Sequence, residues 1–165
     1  MRASLVLAVA LVIAGPASAA DITRASVVAE MNVRRATFGL PPLNEDSRLD
    51  AAADDRVTDM TDNAYWAHIS PDGREPFMWM RPHGYEYHFA GENLASGFDT
   101  AEVLVDAWME SKGHRQNILS TRYRDCGVSI IEGSTTGRSV GKSVVVMFGS
   151  TIEPALTDPP RATRQ

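Results

Sequence analysis

Two apolar runs near the end of the chain most constrain its fold. Gly127 to Glu132 and Ser139 to Gly149 are rich in Val, Ile and Ser, with a small polar stretch, Gly133 to Gly137, between them. Short β-branched runs bounded by glycines favour strands, so the pair reads as an antiparallel hairpin with a flexible loop. Such a hairpin needs other elements packed over it. The sequence before it has the spacing of helices.

Asp21-Ile22-Thr23 can cap a first helix through about Phe38, with Val28, Met31 and Arg35 on one face. Gly39, Pro41 and Pro42 end it. Asn32, beside that face, reads as a surface amide or an internal tie. Asn44 offers the next cap, with Glu45 and Asp46 in the favourable first turn. Leu49, Ala52, Ala53, Arg56 and Met60 then repeat at helical spacing. The alanines point to close packing on a neighbour. Asp50, Asp54, Asp55 and Asp59 lie mostly on the other face and read as solvated.

Ser70-Pro71-Asp72-Gly73 is a turn sequence, and Pro76 starts a short helix through about Arg81 that Pro82 stops. Tyr85 to Ala90 reads as a short extended stretch, and Gly91 to Ala95 as a tight, partly buried backbone. Asp99 with Glu102 forms a capping-box-like pair for a helix whose inner face carries Val103, Leu104, Ala107, Trp108 and Ser111. Gly113 fits the position just past its end, His114 a turn, and Arg115 to Leu119 a further short helix. The sum is an α+β domain: a mainly antiparallel sheet with helices packed over it. There is no internal repeat and no domain linker.

The ends read differently from the middle. Met1-Arg2, the apolar run Leu5 to Ile13, Gly15-Pro16 and Ala17-Ser18-Ala19 have the pattern of a secretory signal peptide over residues 1–19. The expected product is exported, periplasmic or secreted, without a membrane span after cleavage. Residues 20–152 form the expected domain. The prolines 154, 159 and 160 mark 153–165 as a disordered tail. The net charge of −5, with no basic stripe, excludes nucleic acid as a partner. One cysteine, Cys126, leaves no internal disulfide, so packing alone holds the domain. Its thiol reads as a small buried hydrophobe.

Chemistry concentrates in Trp108 to Leu119, WMESKGHRQNIL, where Glu110, His114, Arg115 and Asn117 are set between apolar residues. Arg115 and Asn117 read first as ties for the turn after the helix. The ordered set Ala67 to Gly73 (AHISPDG), Gly91 to Ala95 (GENLA), Trp108 to Leu119 and Val144 to Gly149 (VVVMFG) resembles the CAP superfamily. That superfamily comprises cysteine-rich secretory proteins, antigen 5 and pathogenesis-related group 1 proteins. The GHR-x-NIL form and the lack of disulfides are similar to its bacterial branch.

The resemblance implies an α-β-α sandwich with a three-stranded antiparallel sheet between helix layers. It also implies a cleft in which His68, Glu92 and His114 can hold a divalent cation such as zinc. The family's fourth group, a glutamate, falls on Ser111 in this chain. Glu110 comes one residue early, a rotation of about 100° on a helix. A second departure is Trp79, where bacterial relatives often carry arginine.

Three functions follow from the resemblance. The first is a monomeric, exported binding module for a lipid, a sterol, or another cell-envelope or protein ligand, with Phe77, Met78, Trp79, Tyr85, Tyr87 and Phe89 as candidate apolar surface. The second is a metal-dependent hydrolase acting outside the cytoplasm. The third is a structural envelope protein. His83 and His88 read as ordinary surface histidines. Neither Ser70 nor Ser111 shows the surroundings of a nucleophile, and the G-x-S-x-G pattern of hydrolases is missing.

Overall fold

A computed structural model describes residues 21–137 and 140–151. The expected signal peptide at 1–19 and the expected tail at 153–165 lie outside the described residues. The element order is α1 (Arg24–Thr37), β1 (Asn44–Glu45), α2 (Ser47–Asp62), two short 3-10 helices (Pro76–Trp79 and Arg81–His83), β2 (Tyr87–Phe98), α3 (Ala101–Glu110), α4 (Lys112–Ile118), β3 (Asp125–Glu132) and β4 (Lys142–Thr151). Pro82 therefore does not stop the first 3-10 helix; it sits inside the second, where its fixed φ is tolerated.

The sheet has the order β1-β3-β4-β2. β3 and β4 form the antiparallel hairpin, and β2 pairs antiparallel with the other side of β4. The sheet has four strands rather than three, and it is mixed, because Asn44–Glu45 pairs parallel with Asp125–Cys126. Asn44 is therefore a strand residue and not a helix cap. Its N–H donates to Arg124 O at 2.9 Å, which holds it extended. The cap of α2 falls to Asp46, whose carboxylate accepts the Arg48 N–H at 2.9 Å.

Side-chain alternation along β4 builds two cores. Val144, Val146 and Phe148 face one side with Val27, Met31, Leu104, Val105 and Trp108 from α1 and α3. Val145 and Met147 face the other with Leu49, Ala52, Ala53, Val57 and Met60 from α2. This period of two on a sheet buried on both faces is the α-β-α sandwich. Gly127 lets α2 approach. A Cβ there would stand 2.1 Å from the Leu49 carbonyl carbon. Cys126 is fully buried in the α1/α3 layer, and burial, with nearby carboxylates adding to it, pushes its thiol up to about 12.

Three helix ends are fixed more closely by the structure than by the sequence. Within Asp21-Ile22-Thr23 it is Thr23 that caps α1, in a reciprocal pair with Ser26. Thr100, not Asp99, caps α3 by accepting from Val103 N–H. Ser111 breaks the helix in extended conformation (φ −90°, ψ 120°), and α4 begins at Lys112, so Gly113 and His114 are helical.

Gly91 to Ala95 is the middle of one continuous strand, β2. The acidic face of α2 is tied down rather than merely solvated. Asp50 accepts the Val128 N–H at 2.8 Å and Asp54 the Ser129 hydroxyl at 2.6 Å. Asn32 is an internal tie, accepting from Leu43 N–H at 2.7 Å and donating to Leu43 O at 3.0 Å.

Candidate functional site

The register of β2 positions the site. Leu94 packs in the α2 layer and Ala95 in the α1/α3 layer. By the same alternation Glu92 faces α2, and Asn93 faces α3 and α4. On α2, Arg56 occupies the stripe of Leu49, Ala52, Ala53 and Met60, and it is fully buried. A guanidinium in an apolar stripe needs buried acceptors, and a carboxylate also offsets its charge. Glu92 supplies it, with Arg56 Nε 3.0 Å from Glu92 Oε2.

The rest of the Arg56 fork is also used. It donates to the Tyr65 hydroxyl, to Ala67 O and, at 2.8 Å, to His68 O. Its flat face lies 4.9 Å from the centre of the Trp79 ring, with Arg74 5.5 Å from the same ring. At the departure from the family pattern, Trp79 thus offers an aromatic ring that two guanidiniums contact. Tyr65 in turn donates to Asp59, and Asp59 accepts from Arg74 at 2.7 Å. Burial and the Asp59 carboxylate push the Tyr65 phenol up to about 12, so it remains a donor.

At the solvent end of this chain stands His68. Its Nδ1 lies 2.7 Å from Glu92 Oε1. The carboxylate at that position only accepts, so Nδ1 carries a proton, and among the described residues Nε2 is left free. The hydrogen bond to Glu92 raises the His68 pKa above the ordinary histidine value, against opposing contributions from burial and Arg56. The His68 side chain is 54% exposed, whereas that of Glu92 is 1% exposed. His114 lies with its ring tilted against Trp108, centroids 6.2 Å apart. Its pKa is lowered, by burial first and by the charge of His68 second.

Three side chains lock the end of the sheet beneath the site. Tyr123 Oη donates to Ala90 O at 2.9 Å, Asn117 Nδ2 to Glu92 O at 3.0 Å, and Trp108 Nε1 to Leu94 O at 3.2 Å. These carbonyls belong to alternate residues and so share one edge of β2. Asn117 also donates to Asn93 Oδ1, and Asn93 Nδ2 to His114 O. Gly91 is required here, since a Cβ would stand 2.5 Å from Tyr123 Oη.

Above this floor opens a cleft of about 400 Å3. His68, Glu75, Glu92 and Asn117 form its polar part; Ile69, Pro76, Phe77 and Tyr123 form its apolar wall. Of the predicted site residues, His68 and Glu92 meet directly, and His114 senses His68 electrostatically from α4. Glu110 is exposed at the end of α3 and Ser111 sits at the α3–α4 junction; neither lines the cleft. His83 pairs with Asp55 at 2.7 Å, and His88 is exposed with its ring against Phe89. Arg56 was in view only as part of a helix face. Its signal was a charged residue at an apolar position of an amphipathic helix.

A cation held directly by His68, Glu92 and His114 does not fit this geometry. Both Glu92 oxygens already have hydrogen-bonded partners, and the Arg56 positive charge lies 3.0 Å from one of them. Among the described residues no three His, Cys, Asp or Glu side chains converge for a metal. Among the described residues the cleft lining contains no Ser, Thr or Cys. The Nε2 lone pair of His68 can accept a proton when the ring is neutral; when the ring is protonated, Nε2 offers a donor.

The sandwich, the His–Glu pair and the ordered motifs define a CAP domain, and sequence comparison agrees. The model of the cysteine-rich secretory protein (CAP) family matches residues 28–148, and the chain belongs to that family. The uncharacterized protein YkwD of Bacillus subtilis (strain 168) is 41% identical over 118 residues, covering 70% of this chain and 46% of that protein. The uncharacterized membrane protein YlbC of the same organism is 29% identical over 99 residues, 60% of this chain and 29% of its own length. The chain thus spans less than half the length of these two relatives.

Among solved structures, an extracellular protein containing an SCP domain from Bacillus anthracis superposes with a TM-score of 0.65 at 25% identity, over 78% of this chain and 40% of the other. An outer surface protein of Borrelia burgdorferi superposes with a TM-score of 0.66 at 21% identity, over 76% of this chain and 90% of the other.

Proposed function

We propose that this CAP domain is an extracytoplasmic binding module that takes a small amphiphilic ligand, such as a lipid or another envelope component, in the cleft at His68. The observation that carries the reading is the division of that cleft. A polar part made by His68, Glu75, Glu92 and Asn117 meets an apolar wall that includes Ile69, itself 50% exposed. Binding pockets combine a mostly apolar lining with a few placed polar groups in this way. His68 Nε2 would meet the polar head of the ligand, while Ile69, Pro76 and Phe77 would cover its apolar part.

Export is supported by the leader-like sequence at 1–19 and by relatives described as extracellular or outer-surface proteins. Among the described residues no helix is long and apolar enough to cross a membrane. Hydrolysis has less support. A metal-dependent mechanism needs a held cation, and covalent catalysis needs a nucleophile beside its base. Among the described residues the cleft lining brings together neither a three-ligand cluster nor a Ser, Thr or Cys beside His68.

Titration with the fluorescent acyl probe cis-parinaric acid tests the reading. Saturable binding is expected, weakened in Ile69→Asp, whose side chain is exposed enough to leave folding intact. Equal binding by both proteins, or by neither, would count against an acyl ligand at this cleft.

A further inference from the structure

A second cavity, also about 400 Å3, shares no lining residue with the His68 cleft. It opens where the chain entering β3 meets the end of β4, between Thr121, Arg122, Arg124, Ser150, Thr151 and the ring of Phe89. Its charge runs against the chain's net −5. Arg24, Arg34, Arg48, Arg56, Arg74 and Arg81 all form ion pairs with carboxylates. Among the described residues Arg35, Arg115, Arg122 and Arg124 have none; Arg115 does not line this cavity, lying over the Phe38 ring and donating to Met109 O. Arg122 lies over the Phe89 ring at 4.9 Å, and Arg124 donates to the carbonyls of Thr121 and Tyr123 at 2.7 and 3.1 Å. The acid in the wall, Asp125, accepts the Tyr85 hydroxyl at 2.7 Å.

A third guanidinium concentrates the charge. Arg35 is fully buried and donates to Ser120 O at 2.9 Å, one residue before the cavity wall begins. It too pairs only with carbonyls, and among the described residues its Nη2 has no hydrogen-bond partner. Burial lowers its pKa, and the charge of Arg124 lowers it further. Three neighbouring guanidiniums with no carboxylate partner leave positive charge that a bound anion would neutralise.

We propose that this cavity binds a phosphate group through Arg122 and Arg124, with hydroxyls from Thr121, Ser150 and Thr151 donating to the remaining oxygens. The planar guanidinium fork matches phosphate geometry, and hydroxyls supply donors that a lone arginine lacks. Phe89 gives an apolar wall for whatever carries the phosphate. The group is free or sits on a lipid headgroup, and the two sources separate by experiment. The inference does not depend on the reading of the His68 cleft.

The test is an NMR titration of the purified protein with inorganic phosphate, chloride being exchanged to hold ionic strength constant. Saturable shifts are expected at the amides of 121–125 and 150–151. Losing one charge-assisted contact should weaken binding roughly tenfold or more in Arg122→Gln and in Arg124→Gln. The Arg122 side chain rests on the Phe89 ring and, among the described residues, holds no backbone carbonyl, so that variant keeps the fold, as circular dichroism would verify. Sedimentation with phosphatidylglycerol vesicles, against phosphatidylcholine, is the second arm. Vesicle binding lost in Arg122→Gln assigns the phosphate to a lipid, and phosphate shifts without vesicle binding assign it to a soluble ligand. No saturable shift and no vesicle binding, or binding unchanged in both variants, overturns the proposal.

Discussion

Replacing Arg56 by Met probes the network that supports the site. The variant removes a fully buried guanidinium that holds Glu92, Tyr65 and two carbonyls of the loop carrying His68. Glu92, 1% exposed, is left with His68 alone. Breaking a buried pair from one side costs about 3–5 kcal/mol, because the remaining charge is uncompensated. A domain this size has about 5–15 kcal/mol in all. The melting temperature should therefore fall by about 10–20 °C.

Replacing both partners, in Arg56→Met/Glu92→Leu, removes the stranded carboxylate as well. The double variant should recover about 2 kcal/mol relative to the sum of the single changes, since residues in one network couple by about that much. Urea unfolding with an unchanged m-value is the assay. Additive single effects, or a cost below about 1 kcal/mol for Arg56→Met, would refute the argument that this pair is a coupled buried unit.

Other expectations follow from the same geometry. In histidine NMR titrations His68 should titrate above, and His114 below, the ordinary value of about 6.5, with Glu92→Gln bringing His68 down. The stability His68 contributes is then fully present below the unfolded-state pKa and lost as pH rises through its raised folded value. That of His114 is present above the unfolded-state pKa and lost as pH falls through its lowered folded value. A stability–pH profile of Glu92→Gln should lack the first contribution and keep the second. Calorimetric titration with zinc should show no tight site at the cleft; micromolar binding abolished by His68→Ala/His114→Ala would contradict the reading of Glu92 as already engaged. Asn117→Ala leaves the outward carbonyl of Glu92 and the Asn93 amide short of a partner, so thermal unfolding should register a loss of about 1–3 kcal/mol.

Much of the architecture was legible in the residues. The hairpin, the three longer helices and the buried stripe of α2 follow from period and composition. The fourth strand did not, because two polar residues, Asn44 and Glu45, carry no strand pattern; backbone bonds to Arg124 and Cys126 form it. The helix break at Ser111 was hidden by Gly113, which looks like a terminator yet lies in open space within α4. His68 and Glu92 were visible as motif residues. Their dependence on Arg56, Tyr65 and Trp79 was not, since those partners come from segments far apart in sequence. Arg56 alone signalled itself, as a charge in an apolar stripe. The arginine-lined cavity was invisible because Phe89, Arg122 and Ser150 meet only once the sheet has formed.

The most direct test of the central claim is native mass spectrometry, with lipid extraction, of the protein purified from an exporting host, wild type beside Ile69→Asp. The account predicts a bound amphiphile in the wild type and its loss from the variant. Empty protein in both, or the same occupancy in both, would contradict a ligand site in the His68 cleft.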